Sequence, residues 1–301
     1  MNKNRFVRFF FIVIELGKIK ISIPVALTGF MGYYRASGEL HLDFLYMLFG
    51  ILFMSMGSST FNQVQERRTD LLMKRTAGRP LPAGRISMAG AITTGVLLSL
   101  AGMALLFLTG SPIAALIGLF TLGWYNLVYT PLKHVTPFAV LPGALIGALP
   151  PLIGWTAAGG AVFDREIMLI SFFLFIGQMP HYWLLLLKVG HEFSTAGMPV
   201  ITDKFSKIQL RDISFIWIVA SAVFVLIFPV SGIMYSNLVS FLMLGGVIII
   251  LVRIFQLSLH GEVMQQWRKT FMAINLFYLF IILILIADKF AEPYLYSWKV
   301  I

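Results

Sequence analysis

Three oxygen-bearing side chains are spaced one helical turn apart in the first quarter of the chain. Asn62, Glu66 and Asp70 occupy positions i, i+4 and i+8 of a segment that begins within an apolar stretch. At about 100° and 1.5 Å per residue they fan across about 80° and rise about 12 Å, so all three face one way on a helix. Carboxylate and amide oxygens suit Mg²⁺, which is usually bound by one or two carboxylates together with substrate phosphates. The spacing therefore predicts a magnesium site that holds a diphosphate.

Basic side chains follow this acid stripe (Asn62, Glu66 and Asp70) within two to three helical turns. Lys74, Arg75 and Arg79 can neutralise phosphate oxygens that a metal leaves free, because ammonium and guanidinium groups form charged hydrogen bonds with them. The competing interpretation is a solvated helix end whose acids pair with nearby basic residues. We favour a functional site, because polar residues that begin inside a membrane helix are functional by default.

The composition indicates that these residues belong to a membrane protein. Of 301 residues, 58% are hydrophobic and 12% are charged, and the mean hydropathy is +0.87, which is too apolar for an ordinary soluble enzyme. Since roughly 20 apolar residues cross a bilayer, the length allows about nine transmembrane helices. The apolar stretches lie near residues 14–34, 42–63, 87–109, 112–129, 137–159, 166–187, 211–232, 236–256 and 270–288. We therefore predict an all-α protein with one transmembrane domain over residues 1–301, its helices forming a single bundle.

The positions of lysine and arginine predict the orientation of this bundle. If the N-terminus is cytoplasmic, most of these residues lie in cytoplasmic segments, and the opposite side holds only Arg35, Arg165, Lys289 and Lys299. Such a bias is the positive-inside pattern of membrane proteins. Orientation thus explains most of the net charge of +10, and we expect no nucleic-acid partner. We expect an integral protein of the bacterial inner membrane, with the charged loops in the cytoplasm.

Several motifs resemble those of the intramembrane UbiA-type prenyltransferases. The first is Asn62-Gln63-x-x-Glu66-x-x-x-Asp70-x-x-Met73-x-Arg75-Thr76-x-x-Arg79-Pro80-Leu81, and its Met-x-Arg-Thr-x-x-Arg-Pro end is most similar to the protoheme IX farnesyltransferase branch, the haem O synthases. Two further stretches agree with that branch: Tyr129-Thr-Pro-Leu-Lys133, and Pro180-His181-Tyr182-Trp183 followed by Ala196-Gly197-Met198-Pro199. Where the branch usually shows two acids and a tyrosine, this chain has His191-Glu192-Phe193, so Glu192 can replace only one acid.

The resemblance implies an activity and a role for each matching residue. The expected reaction transfers a farnesyl group from farnesyl diphosphate to a vinyl group of protoheme IX, giving haem O, with Mg²⁺ as the cofactor. Asn62, Glu66 and Asp70 would hold the magnesium diphosphate. Its oxygens would contact Lys74, Arg75, Arg79 and Lys133. A second polar cluster would consist of Lys188 and Glu192, with Glu192 as a further metal contact or as a partner that orients Lys188.

His181 is a candidate for contact with haem. It lies within a predicted helix, directly after Pro180, and imidazole is a common haem ligand. The chain contains no cysteine, which excludes thiolate ligation as well as disulfides and thiol nucleophiles. The competing interpretation is a histidine whose hydrogen bond is to a carbonyl of a neighbouring helix.

Two other functions also fit these residues. One is a related prenyltransferase that acts on an aromatic or quinone precursor, and the other is a non-catalytic membrane protein that binds haem. A cation-coupled transporter is disfavoured, because transporters usually place their charged groups near the bilayer midplane. We expect farnesyl diphosphate, protoheme IX and the lipid bilayer as partners.

Overall fold

The computed structural model describes residues 3–259 and 263–297, and over these ranges the chain forms helices joined by short loops. The ten main helices are α1 (Lys3–Leu16), α2 (Ile19–Ser37), α3 (Asp43–Leu72), α4 (Met88–Leu108), α5 (Pro112–Gly123), α6 (Val140–Ala157), α7 (Arg165–Thr195), α8 (Lys207–Val225), α9 (Asn237–Leu259) and α10 (Val263–Ser297). A π-helical segment, Trp124–Tyr129, and a helical turn, Thr130–Leu132, extend α5. Short helical turns also occur at Pro137–Ala139, Ile201–Asp203 and Ile227–Val230.

Among the described residues, eight helical spans are long and apolar enough to cross a membrane. They are Asp43–Leu72, Met88–Leu108, Pro112–Leu132, Pro137–Ala157, Arg165–Thr195, Lys207–Val230, Asn237–Gln256 and Arg268–Glu292. The sequence-based figure of about nine included residues 14–34 as one apolar span. The helix breaks there at Gly17 and Lys18, and α2 carries both Lys20 and Arg35, which lowers its apolarity. Even so, α2 packs within the bundle against α3 and α6.

Polar side chains fix where several helices begin. The hydroxyls of Ser87 and Ser111 accept hydrogen bonds from backbone N–H groups in the first turns of α4 and α5. Asp164 does the same for α7, and Ser206 forms a reciprocal capping box with Gln209 at the start of α8. These bonds satisfy backbone donors that have no partner inside a helix.

Glycines allow α2 and α6 to cross at backbone contact. A Cβ atom added to Gly154 would lie 1.9 Å from the carbonyl oxygen of Gly29, and one added to Gly32 would lie 2.0 Å from that of Pro151. No side chain larger than hydrogen fits at such distances. This crossing holds α2, whose first residues adjoin the acid stripe, in a fixed position.

A buried ion network joins three helices at the opposite end of the bundle. Arg35 of α2, only 1% exposed, pairs with Glu166 of α7 and, at 2.8 Å, with Asp288 of α10. Asp288 also accepts from the backbone N–H groups of Tyr235 and Ser236, at 3.0 and 2.9 Å. The cations assigned by sequence to the non-cytoplasmic side thus gather at one end, apart from Lys299, which lies outside the described residues.

Candidate active site

The acid stripe lies on one uninterrupted helix, as its spacing predicts. Because α3 continues to Leu72, Asn62, Glu66 and Asp70 share one helical face, and they are 1%, 7% and 0% exposed. Burial of two carboxylates is costly unless cations or hydrogen bonds compensate them. Each member of the stripe meets one basic side chain from a different part of the chain.

Lys133 compensates Glu66. The Lys133 Nζ lies 2.5 Å from the Glu66 Oε1. Burial lowers the pKa of Lys133, but the charge of Glu66 outweighs this effect and raises the pKa above its ordinary value. The π-helical segment before it brings Lys133 to this position, and such irregular turns are frequent at functional sites. His134 Nε2 lies 4.0 Å from the same oxygen, and it was not among the residues proposed from the sequence.

Arg79 compensates Asp70. Its Nη1 donates to both carboxylate oxygens, at 2.8 Å each. The loop between α3 and α4 is held in place because the Thr76 hydroxyl donates to the backbone carbonyl of Asp70 at 2.9 Å. The Met-x-Arg-Thr-x-x-Arg motif thereby folds back over the end of its own helix.

Lys18 compensates the stripe at Asn62 and was not among the sequence-derived site residues. Its Nζ donates to the Asn62 Oδ1 at 2.8 Å, while the Asn62 Nδ2 donates to the Thr130 hydroxyl at 3.3 Å. Burial and the charges of Arg79 and Lys133 lower the pKa of Lys18 to about 7, against the opposing effect of Glu66 and Asp70. In the sequence, Lys18 could have been recognised as a charged residue inside an apolar stretch, directly after a glycine.

The second predicted cluster reaches the same loop. Glu192 lies in the last turn of α7, and its Oε2 accepts from the backbone N–H of Arg75 at 3.2 Å. The side chains of Lys74, Arg75 and Lys188 are exposed, so the structure places them around this end of the bundle and not inside the buried stripe. Glu192 therefore connects α7 to the acid stripe through the loop that follows α3.

An apolar cavity of about 140 Å³ adjoins the stripe. Helices α2, α3, α5 and α6 enclose it, and Lys18 and Tyr125 bring polar atoms to its wall. The other lining side chains are aliphatic, small or hydroxylated, and include Ile21, Val25, Ile51, Met54, Ser55, Leu122, Ile146 and Ile153. The site thus combines a charged region with an adjoining apolar space.

Tyr129 lies beside Lys133, and His181 of α7 contacts α10. The Lys133 Nζ sits 5.1 Å from the centre of the Tyr129 ring. His181 Nδ1 lies 3.0 Å from the Asn275 Oδ1 on α10. The partner of His181 is therefore a side-chain carbonyl on a neighbouring helix, close to the alternative considered from sequence.

The donor set fits Mg²⁺ bound together with a phosphate ligand. Within the described residues no group of three or more His, Cys, Asp or Glu side chains could hold a metal alone. Two buried carboxylates and one amide oxygen match an ion that keeps several positions for water and substrate oxygens. The Oε1 of Glu66 has an ionic partner but no aligned hydrogen bond, which leaves it able to take a metal.

Comparison with known proteins identifies relatives of this chain. The model of the UbiA prenyltransferase family matches residues 22–281. Protoheme IX farnesyltransferase of Geobacter sulfurreducens is 37% identical over 216 residues, which cover 71% of this chain and 79% of the relative. The enzyme of the same name from Oleidesulfovibrio alaskensis is 31% identical over 275 residues, 91% of this chain and 95% of the relative.

Solved structures share the fold at low sequence identity. A structure of digeranylgeranylglyceryl phosphate synthase superposes with a TM-score of 0.76 at 16% identity and covers 93% of this chain and 98% of its own. A UbiA homologue from Archaeoglobus fulgidus, bound to GPP and Mg²⁺, has a TM-score of 0.70 at 15% identity and covers 93% and 99%. These likenesses confirm the all-helical membrane fold.

Proposed function

Because the chain belongs to the UbiA prenyltransferase family and is homologous to protoheme IX farnesyltransferases, we propose that it transfers a farnesyl group to protoheme IX. The donor is farnesyl diphosphate, the accepting group is a vinyl group of the haem, and the product is haem O. One observation carries the proposal: a buried acid stripe, matched by three basic side chains, adjoins an apolar cavity.

The acid stripe is the proposed place of the cofactor. Asn62, Glu66 and Asp70 would hold Mg²⁺, with Glu192 as a further contact from α7. When bound, the ion supplies positive charge to a departing diphosphate. The same metal with a prenyl diphosphate is present in the A. fulgidus homologue, which supports this assignment for a chain of the same fold.

The cations of the site neutralise the leaving group. Arg79 and Lys133 already lie at the stripe, while Lys74 and Arg75 supply positive charge from the loop after α3. In the reaction the bond between C1 of the farnesyl group and the diphosphate oxygen breaks, and its electron pair stays on that oxygen. Fixed cations that meet this charge lower the barrier, because they need no rearrangement as it develops.

The apolar cavity is the proposed place of the farnesyl chain. Its aliphatic wall would bind the hydrocarbon and exclude water from the allylic cation until the vinyl electrons of the haem attack C1. The new carbon–carbon bond leaves a cation on the former vinyl group. Water then adds to that carbon and releases a proton, which gives the hydroxyethylfarnesyl substituent.

His181 is the proposed axial contact of the haem substrate. The Asn275 Nδ2 donates to the Phe271 carbonyl at 2.6 Å, so its Oδ1 faces His181 and accepts from Nδ1–H. This arrangement assigns the proton to Nδ1 and leaves the Nε2 lone pair for iron, because ligating histidines typically donate their other ring N–H to a nearby oxygen. In the haem complex, His181→Ala should shift the Soret band, whereas an unchanged spectrum would remove the axial role.

A product assay tests the activity itself. Purified protein in nanodiscs, with protoheme IX, farnesyl diphosphate and Mg²⁺, should yield haem O by mass spectrometry. Prenylation of an aromatic or quinone precursor without haem turnover would favour that acceptor instead, and haem binding without any transfer would favour a non-catalytic role.

We also propose that the stripe end faces the cytoplasm of a bacterial cell. Reporter fusions at each end of the chain would check this orientation.

A further inference from the structure

Lys18 occupies a break between two helices that the surrounding structure holds in place. Its backbone adopts φ 46° and ψ 52°, and it is the one non-glycine residue with positive φ in the described chain. An L-residue pays for this left-handed conformation, so it persists where neighbours fix it. Gln63 Nε2 does so by donating to the carbonyls of Glu15 and Leu16, at 3.2 and 2.9 Å.

The break aims the Lys18 side chain at the boundary between the stripe and the cavity. The Nζ lies 2.8 Å from the Asn62 Oδ1, and the side chain also lines the cavity beside Ser55 and Tyr125. A prenyl diphosphate with its charged group at the stripe and its hydrocarbon in the cavity must cross this boundary. Its C1–O bond would therefore lie at the level of Lys18.

The partner of Lys18 distinguishes it from the other two cations. Lys133 and Arg79 pair with carboxylates, whereas the Asn62 amide is neutral. A buried ammonium gains more from an anionic oxygen than from an amide, because a full negative charge attracts it more strongly than an amide dipole does. Of the three, Lys18 thus loses least when it leaves its partner for a diphosphate.

We propose that Lys18 is a catalytic residue that moves from Asn62 to the oxygen joined to C1 when a prenyl diphosphate binds. The movement also frees the Asn62 Oδ1 for the metal. As the C1–O bond breaks, the electron pair stays on the oxygen and the Lys18 ammonium donates a hydrogen bond to it without transferring its proton. This inference rests on the proposed prenyl transfer, but it does not depend on which acceptor is used.

Two substitutions at position 18 separate the side chain from the backbone. Lys18→Gly removes the ammonium and suits the left-handed backbone, so it should fold as well as the wild type. Lys18→Met keeps most of the side-chain length without the charge. Lys20→Met is the matched control, because Lys20 is a lysine two residues away on the exposed side of α2.

The measurements are single-turnover farnesyl transfer and binding of the unreactive analogue farnesyl thiodiphosphate with Mg²⁺, both on the full chain in nanodiscs. Loss of one donor to a developing oxyanion should lower the turnover rate by about 10²- to 10³-fold in both Lys18 variants. Analogue affinity should fall by less than about tenfold, because most of the contribution arises in the transition state. Lys20→Met should match the wild type in both assays.

Three results would overturn this inference, and only one of them would also overturn the proposed function. Lys18→Gly protein that folds and transfers farnesyl within about a factor of two of the wild type would overturn the role of Lys18 and leave the proposed function intact. Equal losses of analogue affinity and turnover would also overturn it, since they indicate a binding contact only. Wild-type protein that binds no farnesyl thiodiphosphate would overturn the proposed function and this inference together.

Discussion

One guanidinium nitrogen of Arg79 lies 2.8 Å from both carboxylate oxygens of Asp70. The carboxylate that we propose as a metal ligand is therefore already compensated by a cation from the next loop. Glu66 and Asn62 have the same kind of partner in Lys133 and Lys18. Each basic group can exchange its partner for a phosphate oxygen, so the proposed metal and diphosphate would replace one set of contacts with another.

Replacement of Asp70 tests its role as a metal ligand. Asp70→Asn keeps the shape of the side chain but removes its charge, so we expect farnesyl transfer to fall by at least about 100-fold. Asp212→Asn, at an exposed acid beside Arg211, is the control and should leave the rate unchanged. Transfer by Asp70→Asn within about a factor of two of the wild type would remove the metal role.

The exchange of contacts predicts that metal and diphosphate bind cooperatively. A metal that arrives alone must displace cations that then lack partners, whereas a diphosphate accepts them. Mn²⁺ titrations followed by electron paramagnetic resonance should show at least about tenfold tighter binding when inorganic pyrophosphate is present. Equal Mn²⁺ affinity with and without pyrophosphate would contradict this coupling.

The ion network at the far end predicts a stability effect separate from catalysis. Asp288→Ala leaves the Arg35 guanidinium buried without its full compensation, and breaking such a pair costs about 3–5 kcal/mol. Thermal unfolding in detergent should therefore shift to lower temperature, while Glu39→Gln at an exposed position should not change it. A double variant, Arg35→Leu with Asp288→Leu, should recover part of the loss, and an undiminished Tm in Asp288→Ala would contradict the prediction.

The crossing of α2 and α6 predicts that a single methyl group is disruptive. In Gly154→Ala the new Cβ would meet the Gly29 carbonyl oxygen at 1.9 Å, so the helices must separate, at a cost of about 1–3 kcal/mol or more. Gly123→Ala is the matched control, because an added Cβ there has nothing within 4 Å and alanine favours a helix. The two variants should unfold at clearly different temperatures, and equal stability would show that the crossing tolerates the methyl group.

The sequence predicted those parts of the site that lie on one helix. Asn62, Glu66 and Asp70 share a face because helical geometry is set locally, whereas Glu192 was proposed from its place in a motif that resembles the family's. Lys18 was missed because the left-handed break at its backbone depends on Gln63, which is 45 positions away in the chain. The pairing of Lys133 with Glu66 likewise depends on packing between elements that no local pattern encodes, whereas Arg79 reaches Asp70 through the loop that directly follows α3.

The far-end network also limits how the bundle can deform. Arg35, Glu166 and Asp288 hold the ends of α2, α7 and α10 together through buried ion pairs, whereas the opposite ends of α3 and α7 carry the exposed Lys188 and the loop with Lys74 and Arg75. Separation of these three helices at the Arg35 end would leave buried charges without partners, so this end of the bundle resists opening.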